Sequence, residues 1–134
     1  MKYIKNFIKY WSPPVLYVIL IYWLSSLERP FVIDVGVWNL DKLMHLAEYS
    51  VLGFLLMRAI TGSDGNVKYN KTILLTLVVG AVCGFTDELH QSVVPGRYAT
   101  VADFVFDTLG IAVGIALFYM IKKRRITNGK GLTF

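Results

Sequence analysis

With 134 residues the chain has room for one domain, and we treat residues 1–134 as a single unit. Apolar residues make up 55% of it and charged residues only 17%, whereas a typical soluble domain is about 25% charged, so the composition favours a surface that faces lipid. The net charge is +5, but the basic residues lie between apolar runs and form no single patch, which argues against nucleic acid as a partner.

The first apolar segment covers about residues 8–27 and is long enough to cross a bilayer as a helix. Pro13 and Pro14 would lie in its first turns, where a missing amide donor is tolerated. Lysines ahead of an apolar core also fit a cleaved signal peptide, but no small-residue cleavage site follows Leu24. The segment therefore predicts a transmembrane helix.

Three further segments are predicted to span the membrane, at about residues 40–60, 72–94 and 101–121. The one cysteine, Cys83, lies inside the third segment, where we expect it to pack, and it excludes an internal disulfide. Residues 61–71 predict a polar loop, and Pro95 with Gly96 predicts a tight reversal. The mixed stretch 28–39 is expected to lie at the membrane interface.

The positions of lysine and arginine predict an N-in/C-in orientation, because basic residues accumulate on the cytoplasmic side of a membrane protein. With the N-terminus inside, the inner segments hold Lys2, Lys5, Lys9, Arg58, Lys68, Lys71, Lys122, Lys123, Arg124, Arg125 and Lys130. The outer segments hold Arg29, Lys42 and Arg97. The run 122–125 would follow the last helix as an anchor. The predicted fold class is an all-α membrane protein, a four-transmembrane-helix bundle.

The carboxylates are distributed in the opposite way. Five of them lie in the outer halves of predicted helices: Glu48, Asp87, Glu88, Asp103 and Asp107. A charged side chain at a helix centre costs about 2.5–3.5 kcal/mol on insertion scales, so this set is not expected to face lipid. With a rise of about 1.5 Å per residue, Glu48, Asp87 and Asp107 each lie about 10 Å below the outer surface. Three helices thus bring acids to one depth.

The acidic faces continue into glycine. Asp41, His45 and Glu48 fall within about 60° of arc on the second helix. On the third and fourth helices the faces combine Asp87 and Gln91 with Gly80 and Gly84, and Thr100, Asp103 and Asp107 with Gly110 and Gly114. Small residues spaced by four allow helices to approach closely. The sequence therefore predicts helices that pack on their glycine halves and enclose a polar pocket, reached from the extracytoplasmic side or from the outer leaflet.

The residues of this pocket are suited to acid–base chemistry, because a histidine beside a carboxylate can serve as a general acid or base. The candidate catalytic residues are His45, Glu48, Asp87, Glu88 and Asp107. The candidate substrate-binding residues are Asp41, Tyr49, Gln91, Arg97 and Asp103. Arg97 is suited to a phosphate or carboxylate, and the oxygen and imidazole groups could hold a divalent metal ion.

A structural interpretation of the same residues stays open. The acids could pair with Lys42, His45 or Arg97 to lock the bundle, and Asp103 could cap the fourth helix. His90 lies away from the Asp87 face and could be a helix-interface residue.

Together these motifs resemble the VanZ-like family over most of the chain, from the first helix to about Ala116. The matching residues are Asp41-Lys42-Leu43-Met44-His45, Glu48-Tyr49, Asp87-Glu88-Leu89-His90-Gln91, Pro95-Gly96-Arg97, and Asp103 and Asp107 before Gly110. The resemblance implies a small four-helix membrane fold in the bacterial plasma membrane. Because the family name comes from proteins linked to glycopeptide resistance, it also implies a role in the bacterial cell envelope.

Our first hypothesis is that the pocket binds and modifies a polar lipid head group or an undecaprenyl-linked cell-wall precursor, with an effect on susceptibility to teicoplanin-type antibiotics. His45 would be the acid or base, Glu48 or Asp87 would orient it, and Arg97 would hold phosphate. The alternative is a non-catalytic module that binds lipid or antibiotic and shields the precursor. A proton-coupled transporter subunit is disfavoured, because the inner halves of the helices are apolar.

Overall fold

A computed structural model of the chain describes residues 2–27, 38–63 and 68–128. Within these ranges it contains four α-helices and no β-strand: α1 (Lys2–Ser25), α2 (Trp38–Ser63), α3 (Tyr69–Gln91) and α4 (Val101–Thr127). All four are long and apolar enough to cross a membrane. The predicted fold class is therefore confirmed as far as an all-α membrane protein with four spanning helices. The side on which each terminus lies stays a prediction.

The first helix begins earlier than predicted, at Lys2, so Pro13 and Pro14 lie inside it and not in its first turns. Each proline lacks the amide donor that would bond the carbonyl four residues before it. The predicted interface stretch 28–39 lies outside the described residues except for the two residues that open α2. The predicted polar loop 61–71 is shorter than expected, because residues 61–63 belong to α2 and residues 69–71 to α3, and residues 64–67 lie outside the described residues.

The other two corrections concern where α3 and α4 end. The third helix ends at Gln91, three residues before the predicted limit, because Pro95 disfavours helical backbone at the residue that precedes it. The fourth helix continues to Thr127, so the basic run 122–125 forms its last turns instead of following it. Lysine and arginine are good helix formers, and the helix dipole favours cations at this end.

The centre of the bundle is the contact between α2 and α4. The fourth helix also packs against α3, whereas α1 packs against α2 and α3. The buried apolar core comes mainly from α2 and α4: Tyr49, Leu52, Leu56, Met57, Ile111, Ile115 and Phe118. Apolar side chains such as Leu74, Val78 and Val82 are exposed along α3, as a lipid-facing surface requires.

Glycines allow α2 and α4 to touch. A Cβ atom on Gly110 would lie 2.6 Å from the backbone oxygen of Leu46, and one on Gly53 would lie 2.6 Å from that of Ile111. Gly114 also faces the backbone of α2. Any side chain at these positions would push the two helices apart. The predicted contact faces at Gly110 and Gly114 are therefore confirmed, while the role of Gly53 was not predicted.

The glycines of α3 face α4, again as predicted. A Cβ atom on Gly80 would collide with the side chain of Ile111. One on Gly84 would lie 3.1 Å from both Cβ and Oδ2 of Asp107. The glycine face of α3 therefore leaves space for a carboxylate of α4.

A tight turn joins α3 to α4, as Pro95 and Gly96 predicted. The backbone N–H of Arg97 donates to the carbonyl oxygen of Val94 at 3.2 Å, and Gly96 has a φ of 76°. Proline followed by glycine at positive φ is the pattern of a type II turn. The turn places Arg97 and the start of α4 beside the end of α3.

Candidate functional site

Polar side chains gather at one end of the bundle, where α1 and α3 end and α2 and α4 begin. Among those that are buried, we call the histidine and the four carboxylates the polar cluster: His45, Asp87, Glu88, Asp103 and Asp107. They come from α2, α3 and α4. The common depth that helix rise predicted for Glu48, Asp87 and Asp107 stays a prediction.

The centre of the cluster is a histidine–carboxylate pair. Nδ1 of His45 lies 2.9 Å from Oδ1 of Asp107, and the two residues are 5% and 0% exposed. A carboxylate oxygen of Glu88 completes a group of three donor atoms that all lie within 4.8 Å of one another. Gly84, one turn before Glu88, provides the space in which the Asp107 carboxylate fits. Three helices therefore meet at this point.

Several buried oxygen atoms in this region have no hydrogen-bond partner among the described residues. They are Oδ1 of Asp87, Oε1 of Glu88, Oδ2 of Asp107 and the hydroxyl of Tyr49. Buried polar atoms are normally hydrogen-bonded, and an unpaired carboxylate at membrane depth is costly. The grouping of these atoms indicates a place for a proton, a cation or a polar group of a substrate.

Asp103 occupies a different environment at the start of α4. Thr100 caps the helix: its side chain accepts from the backbone N–H of Asp103 at 3.1 Å, and its hydroxyl donates to Oδ2 of Asp103 at 2.6 Å. Lys42 bonds the other oxygen of Asp103, and Asp41 lies 3.7 Å from the same ammonium group. The backbone N–H of Thr100 donates to Oε2 of Glu88 at 2.9 Å. The expectation that Asp103 caps the helix is therefore wrong, because Thr100 is the cap and the Asp103 carboxylate instead bonds Thr100 and Lys42.

Gln91 and Arg97 connect the polar cluster to α1. Nε2 of Gln91 donates to Oδ2 of Asp87 at 2.8 Å and to the hydroxyl of Ser25 at 3.3 Å. Nη2 of Arg97 donates to the carbonyl oxygen of Leu24 at 2.7 Å, and Nη1 donates to Oε1 of Gln91 at 3.4 Å. A cation at a helix C-terminus is favourable, so Arg97 closes the end of α1. Its role toward a phosphate stays a prediction.

We expected Glu48 or Asp87 to orient the ring of His45. The residue that bonds this ring is instead Asp107. Glu48 lies one turn further along α2, is half-buried, and interacts electrostatically with His45 and Asp107. Tyr49 is fully buried in the core, and its unpaired hydroxyl is the part available for a polar contact.

His90 faces α1 and not the polar cluster, which supports its interpretation as an interface residue. Its Nε2 lies 2.8 Å from the hydroxyl oxygen of Ser26, and its ring centroid lies 5.7 Å from that of Tyr22.

Two polar residues that act at this end of the bundle were not among the predicted candidates, namely Ser25 and Thr100. The spacing of Thr100 and Asp103 ahead of an apolar run is a capping signature that could have indicated the second.

Two grooves lie at the opposite end of the bundle. One of about 270 Å³ is lined by Met120, Lys123, Arg124, Thr127 and Asn128, and one of about 230 Å³ is lined by Tyr69, Tyr119, Lys122, Lys123, Ile126 and Thr127. The polar cluster, by contrast, consists of side chains packed against one another. An opening from the cluster to the extracytoplasmic side stays a prediction.

The fold and the cluster together define a class: a small multi-pass helical membrane protein with carboxylates and a histidine buried between its helices. A family model described as VanZ/LLP1 matches residues 1–122. The chain therefore belongs to the VanZ/LLP1 family, as its motifs predicted. Searches of curated proteins and of solved structures found no match.

Proposed function

We propose that this protein acts in the bacterial cell envelope, where its polar cluster binds and modifies a polar lipid head group or a lipid-linked cell-wall precursor. The observation that carries the proposal is the buried pair of His45 and Asp107, with Glu88 beside it and unpaired carboxylate oxygens around it. A histidine held by a carboxylate is suited to general acid–base catalysis. Burial of such a pair among apolar helices suits a substrate that reaches it from the bilayer.

The reaction class that fits these groups is hydrolysis or transfer at a phosphate ester of the head group. Nδ1 of His45 is taken by Asp107, which leaves Nε2 for the reacting molecule. In hydrolysis a water oxygen bonds to phosphorus while His45 takes the proton of that water. The bond between phosphorus and the lipid oxygen then breaks, and His45 returns the proton to that oxygen. Asp107 holds the ring and stabilises the imidazolium form.

The second candidate is a non-catalytic module that binds a lipid or an antibiotic and shields the precursor. It is favoured by the engagement of the cations: Lys42 bonds Asp103, and Arg97 bonds the end of α1, so both already have partners within the protein. In this case susceptibility to glycopeptides would change while every envelope lipid keeps its structure. In both cases we place the site in the outer leaflet of the plasma membrane.

A lipidomic comparison tests the proposal. Cells expressing the wild-type protein, His45→Gln or Asp64→Asn are compared with cells lacking the protein, and expression in the membrane fraction is measured for each. We expect one class of envelope lipid to change with the wild type and with Asp64→Asn, the matched carboxylate control from the predicted inner loop. The change should be absent with His45→Gln, because a lost acid–base group reduces rates by about 100-fold or more.

Two outcomes of the same comparison would contradict the proposal or change it. An unchanged lipid profile in all strains, or a full change with His45→Gln, contradicts the catalytic proposal. A change in glycopeptide susceptibility without any lipid change would make the binding module the leading function.

A further inference from the structure

Two sets of three possible metal ligands lie at the polar end of the bundle: Asp41, His45 and Asp103, and His45, Glu88 and Asp107. The first set is a poor cation site. Both carboxylate oxygens of Asp103 already have donors, from Lys42 and Thr100, and the Lys42 ammonium would repel a cation.

We propose that the second set, His45, Glu88 and Asp107, binds one divalent transition-metal ion such as Zn²⁺ or Mn²⁺. Two donors that are each about 2.1 Å from one ion lie about 3 to 4 Å apart, and the 2.9 Å between Nδ1 of His45 and Oδ1 of Asp107 is slightly shorter because these atoms share a hydrogen bond that the ion would replace. The remaining distances, none above 4.8 Å, need only small side-chain adjustments.

A second observation points to a ligand in the same place. Glu88 is 8% exposed and Asp107 is fully buried, yet Oε1 of Glu88 and Oδ2 of Asp107 have no hydrogen-bond partner in the part of the chain that the structure describes. The other oxygen of Glu88 is held by the backbone N–H of Thr100, which fixes the carboxylate in the way that outer-sphere hydrogen bonds orient metal ligands. The two free oxygens are thus buried, oriented and unsatisfied.

The donor types favour a transition metal over Mg²⁺ or Ca²⁺, because an imidazole suits Zn²⁺ and related ions. Three protein ligands leave further coordination positions open, as in catalytic zinc sites. One ligand comes from each of α2, α3 and α4, so an ion would also tie these three helices together.

The ion also explains how an acidic cluster could accept an anionic head group. Asp87, Glu88 and Asp107 would repel a phosphate unless a cation lies between them. The role given to the ion rests on the proposed function, but its binding does not. With the ion bound, His45 would be a ligand, and the acid–base role proposed for it would pass to Asp87, whose Oδ1 is buried and has no hydrogen-bond partner among the described residues.

The test measures metal content of the full-length protein purified in detergent. The protein is equilibrated with Zn²⁺, Mn²⁺ or Mg²⁺ at about 10 µM, freed of unbound ion and analysed by mass spectrometry of the elements, with the thermal midpoint recorded with and without metal. We expect about one equivalent of Zn²⁺ or Mn²⁺ and a raised midpoint for the wild type. His45→Gln, Glu88→Gln and Asp107→Asn should each retain less than about a tenth of that.

Glu48→Gln is the matched control, since Glu48 is a half-buried carboxylate on α2 outside the ligand set, and it should retain the metal. Glu88→Gln is expected to fold, because its amide oxygen can still accept from the backbone N–H of Thr100, so its loss of metal would not be due to misfolding. Wild-type protein that is folded but binds none of the ions, or binds Mg²⁺ alone, overturns the assignment, as does full binding by Glu88→Gln. If the protein changes an envelope lipid but binds no metal, the proposed function is supported and the metal site is wrong. If it binds metal but changes no lipid, the metal site is supported and the catalytic proposal is wrong.

Discussion

At the scale of single residues, the partners of each carboxylate separate structural acids from candidate functional acids. Asp103 has a donor on both oxygens, whereas Asp87, Glu88 and Asp107 each keep one oxygen without a hydrogen-bond partner within residues 2–27, 38–63 and 68–128. A fully paired carboxylate holds elements together, and removal of its charge leaves Lys42 without its closest acceptor. A half-paired carboxylate has an atom left over for a ligand.

We therefore expect isosteric amides at the two kinds of site to behave differently. Without added metal, Asp87→Asn and Glu88→Gln should insert and keep the thermal midpoint of the wild type, since the amide oxygens can still accept from Gln91 and Thr100, yet they should abolish the lipid change. Asp103→Asn should lower stability by about 3–5 kcal/mol, the usual effect of breaking a buried ion pair. Thermal unfolding in detergent and lipidomics on the same variants measure both outcomes.

An amide variant of Asp87 or Glu88 that stays fully active would remove that carboxylate from the mechanism. One that fails to accumulate in the membrane would favour the structural interpretation for that residue.

The candidate residues could be found from sequence because charges stand out in apolar helices, but their pairing could not. Helical phase predicted the faces that bear Asp87, Asp103 and Asp107, and helix rise predicted a common depth for Glu48, Asp87 and Asp107. Helical phase does not determine which neighbouring side chain an imidazole ring bonds, so Asp107 was not predicted as the partner of His45. The same limit applies to Arg97, whose reach to α1 depends on the turn that precedes it.

At the scale of helices, apolar length was enough to find each span, and errors arose where local chemistry sets the ends. Basic residues extended α4 beyond the apolar run, and a proline shortened α3. The contact faces were predictable where glycines repeat with a spacing of four on one face, as with Gly110 and Gly114. The isolated Gly53 has no such repeat, although it faces Ile111 across the same interface.

We expect Gly110→Leu to destabilise the protein strongly, because even a Cβ atom there would lie 2.6 Å from the backbone oxygen of Leu46. Overpacking usually costs about 1–3 kcal/mol, and a backbone contact cannot relax by a rotamer change. Gly84→Leu should also lower stability and displace the Asp107 carboxylate. Val113→Leu, at an exposed site on α4, is the control and should leave the midpoint unchanged.

Thermal unfolding in detergent measures these effects. If both glycine variants unfold at the wild-type temperature, close packing through glycine is not what holds the helices together.

At the scale of the whole molecule, charge is divided between the two ends of the bundle. The polar cluster lies where α1 and α3 end, while Arg58 and Lys9 lie over the ring of Tyr10 at the other end, 5.5 and 5.1 Å from its centroid. The basic last turns of α4 belong to this second end, since Tyr119 packs on Tyr69 at the start of α3. The separation matches the count of basic residues that predicted the orientation.

Cysteine labelling in intact cells decides which end faces the cytoplasm. In a Cys83→Ser background, Ser63→Cys reports on the exposed end of α2 at the basic end, and Tyr98→Cys reports on the turn beside the polar cluster, where Tyr98 is 86% exposed. An impermeant thiol reagent should label Tyr98→Cys but reach Ser63→Cys only after the cells are permeabilised, because basic ends stay inside. The reverse pattern would place the polar cluster on the cytoplasmic side. Its substrate would then have to come from the inner leaflet, where lipid-linked precursors are not exposed to glycopeptides, and the link to these antibiotics would be lost.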